Sequence, residues 1–182
     1  MKQLLLSISL FFILQSMHAQ DFVRELDKKT DKVLLRGKIA FDDIMNESTC
    51  SWFGKGADLY HPNQQAVDEL HKIWPDYRFI VFAGTWCSDT KDMLPKFYKV
   101  LVEAGIDLHT VEMFGLNRSK EALNNETTLY SITRVPTIIV MHQFREVGRI
   151  TENVEMSVEE DLVKIIRKDY DRLEAERANR FH

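Results

Sequence analysis

The run Phe79-Ile80-Val81-Phe82-Ala83 is apolar at every position. A strand with one wet face alternates; a strand without polar positions is covered on both faces. It therefore commits the chain to a sheet with layers above and below. Gly84-Thr85-Trp86-Cys87 breaks the run. Met93, Leu94, Phe97, Val100 and Leu101 then fall on one side of a helix over 88–104, and Gly105 ends it. The local order is strand, short turn, helix, with Cys87 in the turn.

The remaining segments fit around this unit. Residues 32–39 read as one edge strand, and 50–54 as a loop with aromatic content. Pro62 suits a first helical position. Ala66, Val67, Leu70, Ile73 and Trp74 recur at helical spacing, which predicts an amphipathic helix over 62–74 that Trp74-Pro75-Asp76 stops. Residues 108–113 read as a strand and 119–130 as a polar helix or loop. Two strands, 137–141 and 146–150, are joined by a tight turn. A last helix runs over 158–176 with Leu162, Ile165, Ile166 and Tyr170 inward, and its charged tail, 174–180, is expected to fray. The order β-α-β-α-β-α-β-β-α behind an N-terminal extension is an α/β layer fold with a central mixed sheet flanked by helices.

Met1-Lys2 gives a basic start, and the apolar run over 4–14 is too short to span a bilayer comfortably. Residues 1–19 therefore read as a secretory signal cut after Ala19, with Met17 larger than the usual small residue at that site. An uncleaved anchor is the other reading. The expected organisation is signal 1–19, extension 20–60, domain 61–176 and tail 177–182. The protein is expected to be exported, periplasmic or extracellular, without membrane contact once the signal is removed.

The chain carries 24 Lys and Arg against 28 Asp and Glu, without a basic stripe, so nucleic acid is not an expected partner. His61, His71, His109 and His142 are scattered and make no short-spaced ligand pair, so neither a metal nor a cofactor is expected. Two cysteines, Cys50 and Cys87, are too few for a disulfide scaffold. In an oxidising compartment their sulfur chemistry is functional. Trp52, Phe53 and Tyr60 are read as stapling the extension to the domain, with lining of a substrate groove as the other reading, and Tyr130 and Phe144 as packing.

At a helix N-terminus the sulfur of Cys87 meets unpaired amides and the positive end of the helix dipole, which favour a thiolate. Asp89 works against this. The Thr90 hydroxyl, one turn on, can donate to the sulfur. The structural alternative for Cys87 is a small buried apolar residue.

Trp86 precedes Cys87, Pro95 stands eight residues after it inside the helix, and Val135-Pro136-Thr137 opens a later apolar run. This set resembles the active-site layout of the thioredoxin family over about 62–170. The resemblance implies a thioredoxin-like fold, an active-site motif of Trp86, Cys87, Ser88, Asp89 and Thr90, and a cis Pro136. Val135 and Pro136 would then hold extended substrate beside the thiol. Two departures stand out. The family's second motif cysteine is Thr90 here, and its buried Asp, six residues before the first cysteine, is Val81.

One thiol supports monothiol thiol–disulfide exchange: Cys87 attacks a disulfide and forms a mixed disulfide. Release then needs an external low-molecular-weight thiol, a second thiol on the client, or Cys50 as resolving thiol. The expected partners are client protein or peptide thiols and disulfides. The alternative is a redox-inactive binding module whose groove beside Pro136 pairs with extended peptide. A peroxiredoxin-like site fits less well, because Thr85 lies two residues before Cys87 where that family has a threonine three before.

Overall fold

The structure of the protein is a computed structural model and describes residues 21–180. The expected signal and its cut lie outside the described residues.

The apolar run forms the last five residues of strand β3 (Tyr77–Ala83), which is paired on both sides. Its parallel neighbour is β4 (Val111–Gly115), reached through helix α4 (Ser88–Glu103). Its antiparallel neighbour is β5 (Thr137–His142), which turns into β6 (Arg145–Thr151). Beyond β4 come β2 (Lys32–Ile39) and β1 (Phe22–Asp27), both antiparallel. The order is β1-β2-β4-β3-β5-β6, a six-stranded mixed sheet.

Alternation along β3 separates two apolar clusters. Tyr77, Phe79, Val81 and Ala83 face the larger one, with Leu70, Leu94, Phe97, Leu162 and Ile166 from the helices. Ile80 and Phe82 face a smaller one with Phe114, Leu116, Ile132, Val135 and Ile139. The all-apolar sequence is thus met by cover on both faces.

Residues 21–60 are woven into this body. Strand β2 is internal, because β1 takes the edge, so the expectation of an edge strand over 32–39 is corrected. β1 carries charges at three of its six positions, so no apolar alternation announces it. Helix α1 (Phe41–Met45) follows β2. The expected loop over 50–54 is instead the end of a 3-10 turn (Ser48–Cys50) and the start of helix α2 (Trp52–Leu59). This helix crosses α4 at its proline: a Cβ on Gly56 would lie 2.9 Å from the Pro95 ring. The tertiary contact decides here, since two glycines are poor intrinsic helix formers. Phe41, Phe53 and Tyr98 stack edge-on or face-on, with centroids at 5.1–6.0 Å. This packing stapled by Phe53 is the one expected.

Helix α3 (Gln64–Ile73) starts after Pro62, because Asn63 caps it by accepting from the Gln65 and Ala66 N–H groups. Residues 108–110 form a 3-10 turn, and β4 starts only at Val111. Within 119–130 only α5 (Glu126–Leu129) is helical. Helix α6 (Val158–Arg180) continues through the segment expected to fray. Its Leu162 and Ile166 are buried, but Tyr170 is exposed, against expectation, and Phe144 stands fully exposed at the β5–β6 turn. Among the described residues no helix is long and apolar enough to cross a membrane.

Two charged locks hold α6. Glu159 accepts from the Tyr60 hydroxyl at 2.7 Å and the Asn63 N–H at 2.8 Å. Asp169, almost fully buried, accepts from Tyr77, His142, Arg145 and Arg172. Burial alone would raise its pKa, but the hydrogen bonds from Arg145, Arg172 and His142 outweigh that and hold it at about 2.

Candidate functional site

Strand β3 ends at Ala83 because Gly84 lets the chain turn under its own tryptophan. A Cβ on Gly84 would lie 2.8 Å from the Trp86 indole, so a larger residue would displace the ring. The Trp86 Nε1–H donates to the Leu116 carbonyl at 2.9 Å, which fixes the ring across the end of β4. The turn closes with the Cys87 N–H donating to the Gly84 carbonyl at 2.8 Å.

Cys87 is the N-cap of α4, with extended backbone, and its carbonyl accepts the Lys91 N–H at 3.1 Å. Its side chain is half-buried against the smaller apolar cluster. The Sγ–H donates to the Val135 carbonyl at 3.4 Å. The Val135–Pro136 peptide is cis. The spacing of Cys87 and Val135-Pro136 in sequence is therefore a contact in space, as the resemblance implied.

The backbone beside the thiol is partly committed. The Pro136 carbonyl accepts the Glu152 N–H at 2.9 Å, and Thr137 Oγ1 donates to the Arg134 carbonyl at 2.8 Å. Arg134 and Glu152 pair at 2.8 Å across the same loop. The Val135 N–H has no hydrogen-bond partner among the described residues.

Thr90 is fully buried, and its hydroxyl accepts the Gly84 N–H at 3.2 Å. The expected donation to the Cys87 sulfur is not made. Thr90 instead ties the strand end to the first turn of α4, so it acts on the loop that carries the thiol. Ser88 and Asp89 are exposed and bonded to each other, Oγ to Oδ1, at 3.3 Å. Val81 is fully buried within the larger cluster.

Cys50 is 2% exposed and belongs to the larger cluster, whereas Cys87 packs on the smaller one. Both thiols are free. Burial pushes the Cys50 thiol up. No disulfide joins the candidate resolving thiol to Cys87 in this structure.

Two residues without a sequence signal complete the site. The Arg118 guanidinium lies 5.0 Å above the Trp86 ring centre. Asp27, at the end of β1, holds it with Oδ1–Nε at 2.7 Å and Oδ2–Nη2 at 2.8 Å. The Arg118 guanidinium, with the Thr30 hydroxyl, keeps the Asp27 carboxyl well below the usual carboxylate range. A lone charged residue in a loop reads as solvated, and these two lie 91 positions apart.

The chain matches no family model and no curated protein. Solved structures share its fold. A protein of unknown function from Pseudomonas aeruginosa is 14% identical, with a TM-score of 0.50 over 73% of this chain and 84% of that one. Thioredoxin 1 from Thermosipho africanus is 22% identical over 52% of this chain and 94% of its own, at a TM-score of 0.38. Mitochondrial thioredoxin 3 from Saccharomyces cerevisiae is 20% identical over 58% and 90%, at 0.37. At such identities a likeness concerns the fold alone.

Proposed function

We propose that this protein, a mixed α/β chain with a thioredoxin-like fold, is a monothiol thiol–disulfide exchanger acting through Cys87. The observation that supports this most is the half-buried Cys87 sulfur set 3.4 Å from the carbonyl of Val135, next to the cis Pro136. A structural cysteine is sealed, as Cys50 is; Cys87 keeps access to solvent beside backbone that can receive an extended chain.

In this reading the client lies along Val135 with its disulfide at Cys87. The Cys87 thiolate attacks one client sulfur. A Cys87–client disulfide forms as the client's own S–S bond breaks, and the departing thiolate takes a proton from solvent. Thr90 carries a hydroxyl and cannot displace the client, and Cys50 is buried in the other cluster. Release therefore comes from an outside thiol, whether a low-molecular-weight thiol or a second cysteine of the client.

Intact-mass measurement after incubation with oxidised glutathione tests the reading, on wild type and on Cys50→Ser and Cys87→Ser. One glutathione adduct that disappears only in Cys87→Ser is the expected result. Loss of both thiols without added mass would mean a Cys50–Cys87 disulfide and a two-cysteine enzyme. Two inert thiols would overturn the exchange reading in favour of a redox-inactive binding module.

A further inference from the structure

The β1–β2 turn places an unusual charge balance around Trp86, the residue before the thiol. It is a well-made turn: the Thr30 and Asp31 N–H groups donate to the Asp27 carbonyl at 3.1 and 2.9 Å, and the Asp27 carboxylate also accepts from the Lys29 N–H and the Thr30 hydroxyl. It holds Lys28, Lys29 and Lys32 at one end of the sheet. Asp27 also anchors Arg118 over Trp86, the residue before Cys87. Two cavities meet at Asp27. One, of about 330 Å³, is lined by Glu25, Lys28, Lys29 and Arg118 among others. The other, of about 70 Å³, is lined by Thr30, Lys32, Thr85, Trp86 and Lys91 among others.

The lysines that form ion pairs among the described residues are Lys38, Lys96, Lys99 and Lys164. Lys28, Lys29, Lys32 and Lys91 are not among them. The nearby acids are largely committed: Asp27 to Arg118, and Glu25 to Arg36 at 3.6 Å. Asp31 and Asp89 remain against four lysines. A chain with a net charge of −4 thus gathers four of the eight described lysines that form no ion pair around Asp27 and Trp86, the residue before Cys87; Lys55, Lys72, Lys120 and Lys168 are the other four.

We propose that this basic rim selects the client: Cys87 exchanges preferentially with disulfides whose cysteine stands within a few residues of acidic side chains. The inference rests on the exchange reading and adds the substrate class. An acidic segment would lie across the turn and Lys91 while its sulfur meets Cys87. Charges that face each other over a Debye length of roughly 10 Å raise encounter rates, by about 10-fold or more at low salt.

The test uses three peptides, identical but for Glu, Gln or Lys beside a central cysteine, each carried as a disulfide with a chromogenic aryl thiol. Release of the dye is timed for the wild type and for Lys28→Gln/Lys29→Gln/Lys32→Gln, each rate divided by that of neutral 2-mercaptoethanol with the same peptide. The three substituted positions lie on a surface turn, and a thermal melt checks folding. The expected order is Glu, Gln, Lys, with about a 10-fold preference for Glu over Gln at low salt. It should vanish in the triple variant and in about 1 M salt, where the Debye length falls to about 3 Å. Equal normalised rates in the wild type would overturn this inference and leave exchange at Cys87 standing. A preference that survives in the triple variant would overturn the assignment to the turn. Release from no peptide would sink the exchange reading and this inference with it.

Discussion

The two ends of strand β3 solve the same problem in opposite ways. At Tyr77 the strand leads to Asp169, whose carboxylate collects donors from β3, β5, β6 and α6 until neither oxygen is free. At Ala83 it leads to Asp27 and Arg118, where the carboxylate is also saturated, but the guanidinium keeps Nη1 without a partner among the described residues. The thiol beside it is half-open as well. One end is closed and only holds the fold together. The other leaves donors and a nucleophile uncommitted, which is what a binding or reacting surface needs. A buried charge network thus says little about function until its leftover valences are counted.

Breaking the closed end should cost most. Asp169→Ala should lower unfolding free energy by about 3 kcal/mol in urea titration, the low end for a broken buried pair, because Arg145 and Arg172 are half-exposed and regain water. Cys87 alkylation by iodoacetamide in the native state should stay unchanged. The same contrast has a pH signature. Folding lowers the Asp169 pKa to about 2 from an unfolded value near 3.9. Its contribution is complete above pH ~4 and is lost as pH falls through the folded value. The stability gap between wild type and Asp169→Ala should therefore shrink on acidification; a constant gap would refute the assignment.

Cys50→Ser should come next, at about 1–3 kcal/mol, since it puts a hydroxyl into the sealed cluster. The glutathione adduct at Cys87 should survive it. Thr90→Val should cost about 1 kcal/mol: it orphans the Gly84 N–H, partly offset by a buried methyl. It should also speed alkylation of Cys87, because the strand end is no longer tied to α4; an unchanged rate would show that Thr90 does not restrain the thiol loop. Cys87→Ser should move stability least, by about 0.5 kcal/mol or less, while removing the adduct altogether. A large stability loss there would erase the distinction between the two ends.

What the sequence made legible follows from where information is local. The buried strand, α4 and the β5–β6 hairpin are written in runs of adjacent apolar residues, and Trp86, Cys87, Thr90, Val135 and Pro136 in a short motif and one proline. β1 was not legible, because an edge strand with three charges lacks a burial pattern. α2 was hidden because Gly54 and Gly56 argue for a loop, and only the Pro95 surface of α4 explains a helix there. Pro62 pointed two residues too early because Asn63 holds the cap. Asp27 and Arg118 are joined purely by the fold.

That last contact also says something about time. Asp27 and Arg118 are 91 residues apart, and β2 meets β4 only after α1 to α4 have been laid down between them. Closing so long a loop is entropically expensive and slow compared with forming the sequence-local β3–α4–β4 unit. The expected folding order therefore builds the thiol's helix early and docks the hairpin late. Pulse-labelled hydrogen exchange during refolding should show the α4 amides protected before those of β1 and β2; simultaneous protection would refute it. The newborn chain accordingly owns its reactive helix before it owns the charged rim around Trp86.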